Sequence, residues 1–224
     1  VGTFGGGLNF LPANSKKFKQ FRYETNNPST LNSDRVVALS RLQDDTLVVG
    51  TVSGLNVFDS VTSTFKRIEH QQDKFESLSA PTAWTFYQDH NENLWVGSQG
   101  GGLNQWRKED VRALENRFTH FDKRNGLPSS HIYSIQADDR GVLWLSSTAG
   151  ITRFNPSNGT MRHFDSSQGI EDSEFNFGAG FTDSQGVMYF GGNSGFVRFH
   201  PNDIKESKKV PPVVLVRIKK LNEK

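Results

Sequence analysis

Apolar positions along this chain fall in short runs, continuous or alternating, bounded by Gly, Asp, Asn and Pro, and no stretch sustains a 3.6-residue periodicity. Runs of that length and punctuation predict β-strands joined by tight turns. The clearest stretch predicts strands over residues 132–137, 142–146, 151–154 and 160–164. Its turns are Asp138-Asp139-Arg140-Gly141, Thr148-Ala149-Gly150 and Pro156-Ser157-Asn158-Gly159.

The same pattern is written five times. Val1-Gly2-Thr3, Val49-Gly50-Thr51, Trp95-Val96-Gly97-Ser98, Trp144-Leu145-Ser146-Ser147 and Tyr189-Phe190-Gly191-Gly192 each open a stretch that returns through glycine to an apolar residue. A small residue thus recurs at 2, 50, 97, 146 and 191. Four strands per period of about 40–50 residues is the blade of a β-propeller. The fold class expected is all-β, a propeller segment of about four to five four-stranded blades, open or incomplete. Three units are expected to be complete. A leading one lacks its innermost strand, and a trailing one shows no outermost strand before Lys205.

The recurrent polar residues have mechanical readings. Asp89, Asp138 and Asp183 each lie six positions before an aromatic, Trp95, Trp144 or Tyr189. An aspartate there bonds to backbone N–H groups ahead of it, and Gly141 and Gly186 supply the φ > 0 that such turns require. The aromatic is expected to pack between neighbouring blades. The first full unit departs from this, because Gln43-Asp44-Asp45-Thr46-Leu47 is two residues shorter and Val48 replaces the aromatic. A tighter turn and weaker packing against the next blade are expected there.

Composition narrows the class. With 34% apolar residues, 22% charged and 21 glycines, the chain is turn-rich and globular, and no run approaches the ~18 apolar residues of a membrane-spanning helix. Because Val1 lies inside a repeat, the start of the gene product is expected upstream of it. A net charge of +2 with both signs interspersed gives no nucleic-acid footprint. Lys205, Lys208, Lys209, Arg217, Lys219 and Lys220 form the one basic region, read as a solvated linker and strand edge. Without cysteine there are no disulfides and no thiolate metal sites.

The run Asp-x-x-Gly-x-Leu-Trp-Leu-Ser-Ser-Thr-x-Gly-Ile-x-x-Phe-Asn at 138–155 closely resembles the two-component regulator propeller repeat. So do Phe164-Asp165 followed by Gly169-Ile170, and His120-Phe121-Asp122 followed by Asn125-Gly126-Leu127-Pro128. That family builds the extracytoplasmic sensor regions of hybrid histidine kinases and related bacterial transmembrane regulators. The resemblance covers residues 1 to about 201. Beyond it, Pro211-Pro212-Val213-Val214-Leu215-Val216-Arg217-Ile218 resembles the first strand of the Ig-like domain that follows the propeller in that family. The division expected is propeller blades over 1–204, then linker and first Ig-like strand over 205–224.

The resemblance implies a non-catalytic, periplasmic ligand-sensing segment. Its parent would be an inner-membrane protein carrying a histidine kinase or cyclase domain, and the membrane would be met only through that parent. The ligand implied is a small molecule or oligosaccharide. Association is expected through homodimer contacts at strand edges or the Ig-like domain.

Ligands of propellers usually meet the loops at one end of the channel. Residues leading into the innermost strands are Arg35, Thr82, Ser130, His131 and Asn176, and those at the turns between second and third strands are Gln99, Thr148, Asn193 and Ser194. Thr82, His131 and Asn176 each lie seven positions before a turn aspartate. Differing polar residues at one repeated place suit a shared ligand surface, and equally a solvent-facing loop, which is the simpler reading. The candidate ligand-binding set is Arg35, Thr82, His131, Asn176, Gln99, Thr148 and Asn193. Trp84 and Tyr133, inside the innermost strands, are read first as packing between blades and alternatively as platforms for a sugar face.

Enzymatic chemistry has less support. The regularly placed aspartates are turn residues in separate blades, too far apart for the carboxylate pair of glycoside hydrolysis. His120 and His163 occupy one outer-strand position in successive repeats and are read as surface residues. No zinc motif or EF-hand loop occurs, and no cofactor or metal is expected. Gly5-Gly6-Gly7 and Gly100-Gly101-Gly102 lack the following Gly-Lys-Ser/Thr of a phosphate loop. Alternatives to the sensor are a secreted propeller glycosidase or lyase, and a protein-interaction scaffold without a small-molecule site.

Overall fold

The computed structural model describes residues 1–170 and 174–204. The basic cluster and the Ig-like strand expected within 211–218 fall outside the described residues.

Five antiparallel sheets follow one another along the chain. The first holds β1 (Gly2–Thr3), β2 (Gly7–Phe10) and β3 (Lys19–Phe21). The second runs β4 (Val36–Arg41), β5 (Leu47–Thr51), β6 (Gly54–Asp59) and β7 (Thr64–Ile68). The third is β8 (Ala83–Gln88), β9 (Leu94–Ser98), β10 (Leu103–Trp106) and β11 (Phe118–Phe121), with a short helix, α1 (Lys108–Ala113), between its last two strands. The fourth is β12 (Ile132–Ala137), β13 (Leu143–Ser147), β14 (Gly150–Phe154) and β15 (Met161–Phe164). The fifth is β16 (Phe175–Thr182), β17 (Met188–Gly192) and β18 (Gly195–Phe199). Each sheet pairs its strands in sequence order, and β4, β8, β12 and β16 lie side by side as the innermost strands. These are propeller blades, three of them complete and two partial among the described residues.

In the third, fourth and fifth blades the first hairpin is built by its aspartate. Asp89 Oδ1 accepts from the backbone N–H of Asn91 and Asn93, both at 2.9 Å. Asp138 does the same for Arg140 and Val142, and Asp183 for Gln185 and Val187. The other oxygen accepts a hydrogen bond from the aromatic six residues on: Trp95 Nε1 at 2.9 Å, Trp144 Nε1 at 3.4 Å and Tyr189 OH at 3.3 Å.

The second blade corrects the expectation of a shorter turn. Leu42 N donates to Thr46 O and Asp45 N to Leu42 O, the pattern of Asp89 with Asn93 and Glu92 with Asp89. Asp45, Glu92, Gly141 and Gly186 all sit in the left-handed region, with φ of 69°, 64°, 75° and 81°. The turn is therefore the same length, with Leu42 in the aspartate position and Val48 in the aromatic one. Weaker packing is not what results either. Leu42 and Val48 are buried in one cluster with Trp106, Val111 and Phe118 of the third blade. Trp106 stands where the fourth blade has Phe154, so a larger residue on one side meets the smaller one on the other.

The helix α1, which no periodicity announced, completes that contact. Glu92 binds Lys108 Nζ at 2.6 Å and Arg112 at 2.7 Å, tying α1 to the blade's first hairpin, and Trp106 Nε1 donates to Glu115 O at 2.7 Å. Elsewhere the recurrent aromatics behave as expected. Trp95 packs with Ile135, Leu145 and Phe154 of the fourth blade, and Trp144 with Met188, Phe190 and Phe199 of the fifth.

Successive blades are also joined by backbone. Gly5 and Gly7 donate to Asp34 O at 3.0 and 2.9 Å, and Gly100 and Gly102 to Ser130 O at 2.9 and 2.8 Å. The glycine triplets are thus latches onto the next blade. At Gly102, φ is +73° and a Cβ would run into Phe121 O, so no other residue fits without strain.

Candidate functional site

A β-bulge near the start of each innermost strand builds the candidate site. The ladder register slips between Val36 and Ala38, between Ala83 and Thr85, and between Ile132 and Ser134. Val37, Trp84 and Tyr133 are left unpaired by these slips. A bulge of this kind re-aims a side chain and is common beside binding sites. In the fifth blade the slip is longer: Phe175 pairs with Gly192 and the ladder resumes at Gly180 with Phe190, so residues 176–179 carry no ladder partner.

The result is an aromatic group drawn from three blades. Trp84 lies 5.3 Å from Tyr133 at an interplanar angle of 34°, and 5.5 Å from Phe177 at 21°, a stacked pair. Beside it is a cleft of about 460 Å³ lined by these rings and by Thr148, Glu174, Asn176 and Asn193. Trp84 and Tyr133 are half-buried, whereas Thr148, Glu174, Asn176 and Asn193 are exposed.

Polar partners order the rim. Asn193 Nδ2 donates to Glu174 Oε2 at 2.9 Å and its backbone N–H to Glu174 O at 3.1 Å. Thr148 Oγ1 and Ser129 Oγ are 2.7 Å apart. Burial pushes the Tyr133 phenol above its ordinary pKa, and the Glu174 charge adds to the effect, so the ring presents a neutral O–H.

Three of the seven candidate residues, Thr148, Asn176 and Asn193, therefore meet at one cleft, and Trp84 and Tyr133 join them. The other four are used differently. Thr82 is buried, with Oγ1 donating to Val52 O at 3.3 Å and its carbonyl accepting from Gln99 N at 3.2 Å. Gln99 and His131 pair as an isolated bridge between the third and fourth blades. Arg35 pairs with Phe4 in the same way and lays its guanidinium 5.3 Å from that ring. Sequence reasoning missed Glu174 and Phe177. Phe177 had a signal in Gly178 and Gly180, two glycines inside what otherwise reads as a strand.

The chemistry available is ring stacking and hydrogen bonding. Among the described residues Glu174 is the single carboxylate in the cleft lining. Asp89, Asp138 and Asp183 are committed to their turns. Among the described residues no group of three or more His, Asp or Glu is placed to hold a metal ion.

Comparison with known proteins bears on this arrangement. Residues 126–149 match the model of the two component regulator propeller. The resemblance read from the repeats is borne out. Along its whole length the chain is 28% identical to histidine kinase P4 of Formosa agariphila, over 99% of this chain and 16% of that protein. Among solved structures, it superposes on the extracellular domain of a B. thetaiotaomicron protein described as a hybrid two component system. The TM-score is 0.76 at 18% identity, covering 90% of this chain and 28% of that one. Virginiamycin B lyase from Staphylococcus aureus is also similar, with TM-score 0.57 and 12% identity over 88% of this chain and 65% of the lyase. At these identities the solved structures speak for the fold. The matched span includes Asp138 and Trp144 of the fourth blade's first hairpin. The chain spans 16% of the curated relative it matches.

Proposed function

We propose that this chain is part of the extracytoplasmic sensor region of a membrane-anchored two-component regulator, and that it binds a small molecule or oligosaccharide in the cleft between Trp84, Tyr133 and Asn193. The observation that carries this reading is the convergence of bulges from successive blades on one place. Each bulge withdraws a residue from the ladder, and the residues so released are aromatic in three of four blades. A cleft of about 460 Å³ with apolar walls and a few polar groups has the size and character of small-ligand sites. Flat rings with amide and hydroxyl groups at their edge suit a ligand that has one apolar face and polar equatorial groups.

The similarity to histidine kinase P4 supports placing this segment in a signalling protein, and the likeness to an extracellular domain supports an extracytoplasmic location. A non-catalytic role is supported by the likeness to an extracellular domain and, among the described residues, by the one carboxylate in the cleft lining, since glycoside hydrolysis uses two. Ligand binding would shift signalling only by its difference in affinity between two propeller arrangements.

The test is a thermal-shift and calorimetric screen of the full extracytoplasmic region against oligosaccharides and aromatic metabolites, repeated with Trp84→Ala and Asn176→Ala. Loss of a hit in both variants, with unchanged circular dichroism, supports the cleft. A ligand that binds both variants as tightly as the parent assigns recognition elsewhere.

A further inference from the structure

The longer bulge of the fifth blade does more than shape the cleft. In the second, third and fourth blades the slip releases one residue, whereas here it releases Asn176, Phe177, Gly178 and Ala179. Both ends of this segment are held. At one end Phe175 is buried and Glu174 is tied to Asn193 by two hydrogen bonds. At the other, Gly180 lies so close to Ser134 that a Cβ would collide with its hydroxyl.

Between these anchors little holds the strap down. Gly178 at its apex has φ +71°, and no atom lies within 4 Å of where its Cβ would be. Phe177 is 56% exposed although it is large and apolar. Its ring stacks on Trp84, an innermost-strand residue two blades away. A phenyl ring lying nearly parallel on an indole, with its other face to solvent, stands where a bound ligand's ring would lie.

We propose that Phe177 is a built-in occupant of the Trp84 face, and that a ligand binds by replacing it while the strap 176–179 swings on its anchors. This rests on the reading of the cleft as the ligand site. Replacement makes binding weaker than the bare cleft allows, by the fraction of time the strap is open. It also gives the ligand a mechanical output, because the displaced strap belongs to the innermost strand of the fifth blade.

The experiment uses the tryptophans already present. Trp95, Trp106 and Trp144 are fully buried, so acrylamide quenching of the unmodified protein reports chiefly on Trp84. Phe177→Ala is expected to raise that quenching, and so is Gly178→Ala, which strains the strap's apex without touching either ring. The second readout is titration with p-nitrophenyl β-D-glucopyranoside, whose nitrophenyl ring quenches indole fluorescence on contact. Phe177→Ala should bind it ~2- to 10-fold more tightly than the parent, the range expected for removing one aromatic pair.

Quenching that is the same in parent and Phe177→Ala would show that the strap does not cover Trp84 and would overturn the proposal. Weaker binding of the glucoside by Phe177→Ala would overturn it too, by making Phe177 part of the platform. So would the absence of binding to either protein. The acrylamide reading involves no ligand, so it judges the capping of Trp84 independently of whether the metabolite screen succeeds.

Discussion

Trp95 donates a hydrogen bond from its indole N–H to Asp89, Nε1 to Oδ2 at 2.9 Å, and both residues belong to one hairpin. The same carboxylate accepts two backbone N–H groups through Oδ1, so one side chain shapes the turn and orients the ring that packs on the next blade. Local turn and interblade contact are thus set together.

Asp89→Ala is expected to strand the buried indole N–H along with the turn amides. An unsatisfied buried donor costs about 1–3 kcal/mol. Trp95→Phe removes the donor and should leave less of a penalty on the polar side. In urea titrations a double-mutant cycle of the pair should show coupling near 1 kcal/mol or more. Additive losses would separate the turn from the packing.

At the second blade the load falls on Trp106, which is fully buried beside Val48. Trp106→Ala should cost about 3–5 kcal/mol, the range for deleting a large core aromatic. A loss below 1 kcal/mol, read from the denaturant midpoint, would mean that this interface is as loose as its missing aromatic suggested.

Gly97 and Ser146 occupy one repeated position and should respond oppositely. A side chain at Gly97 would meet Thr85 Cγ2 and Ile132 Cγ2 within 3 Å, so Gly97→Ser should destabilise by about 1–3 kcal/mol. Ser146 carries a buried hydroxyl with no hydrogen-bond partner among the described residues. Ser146→Ala should stabilise by roughly 1 kcal/mol. Calorimetric melting of the two variants gives both signs directly.

His120 makes stability depend on pH. It is half-buried rather than a surface residue, with Nε2 against Ser77 O at 2.8 Å. Burial lowers its pKa; Arg124 and His70 add to this, against the Ser77 carbonyl and Asp122. The unfolded chain therefore takes up a proton first, near the ordinary histidine value of about 6.5. The contribution is fully present above that pH and is lost as pH falls through the lower folded-state value. His120→Gln should flatten the stability difference between pH 7.5 and pH 5.5 in urea unfolding. An unchanged slope would put the dependence on another group.

Much of the fold was written locally. Strand runs, the aspartate–aromatic spacing and the small residue at 2, 50, 97, 146 and 191 each depend on one hairpin, and the blades followed from them. The second blade was misread because its turn was aligned on Asp44, when Leu42 holds the aspartate place through backbone bonding alone. The helix at 108–113 is too short to show a period. The site was legible in part: Thr148, Asn176 and Asn193 are set by the repeat, and repeats can be counted. Which residue a bulge releases is a matter of ladder register. Phe177 reaching Trp84 depends on the distance between alternate blades, which no spacing along the chain encodes.

Because pairing restarts at Gly180, the number of residues between Phe175 and that point is a free variable of the design. Residues can be added or removed there without turning any downstream side chain from core to solvent. A change of length or side chain in this one segment is thereby uncoupled from the hydrophobic packing that joins the blades, which the chain on either side supplies.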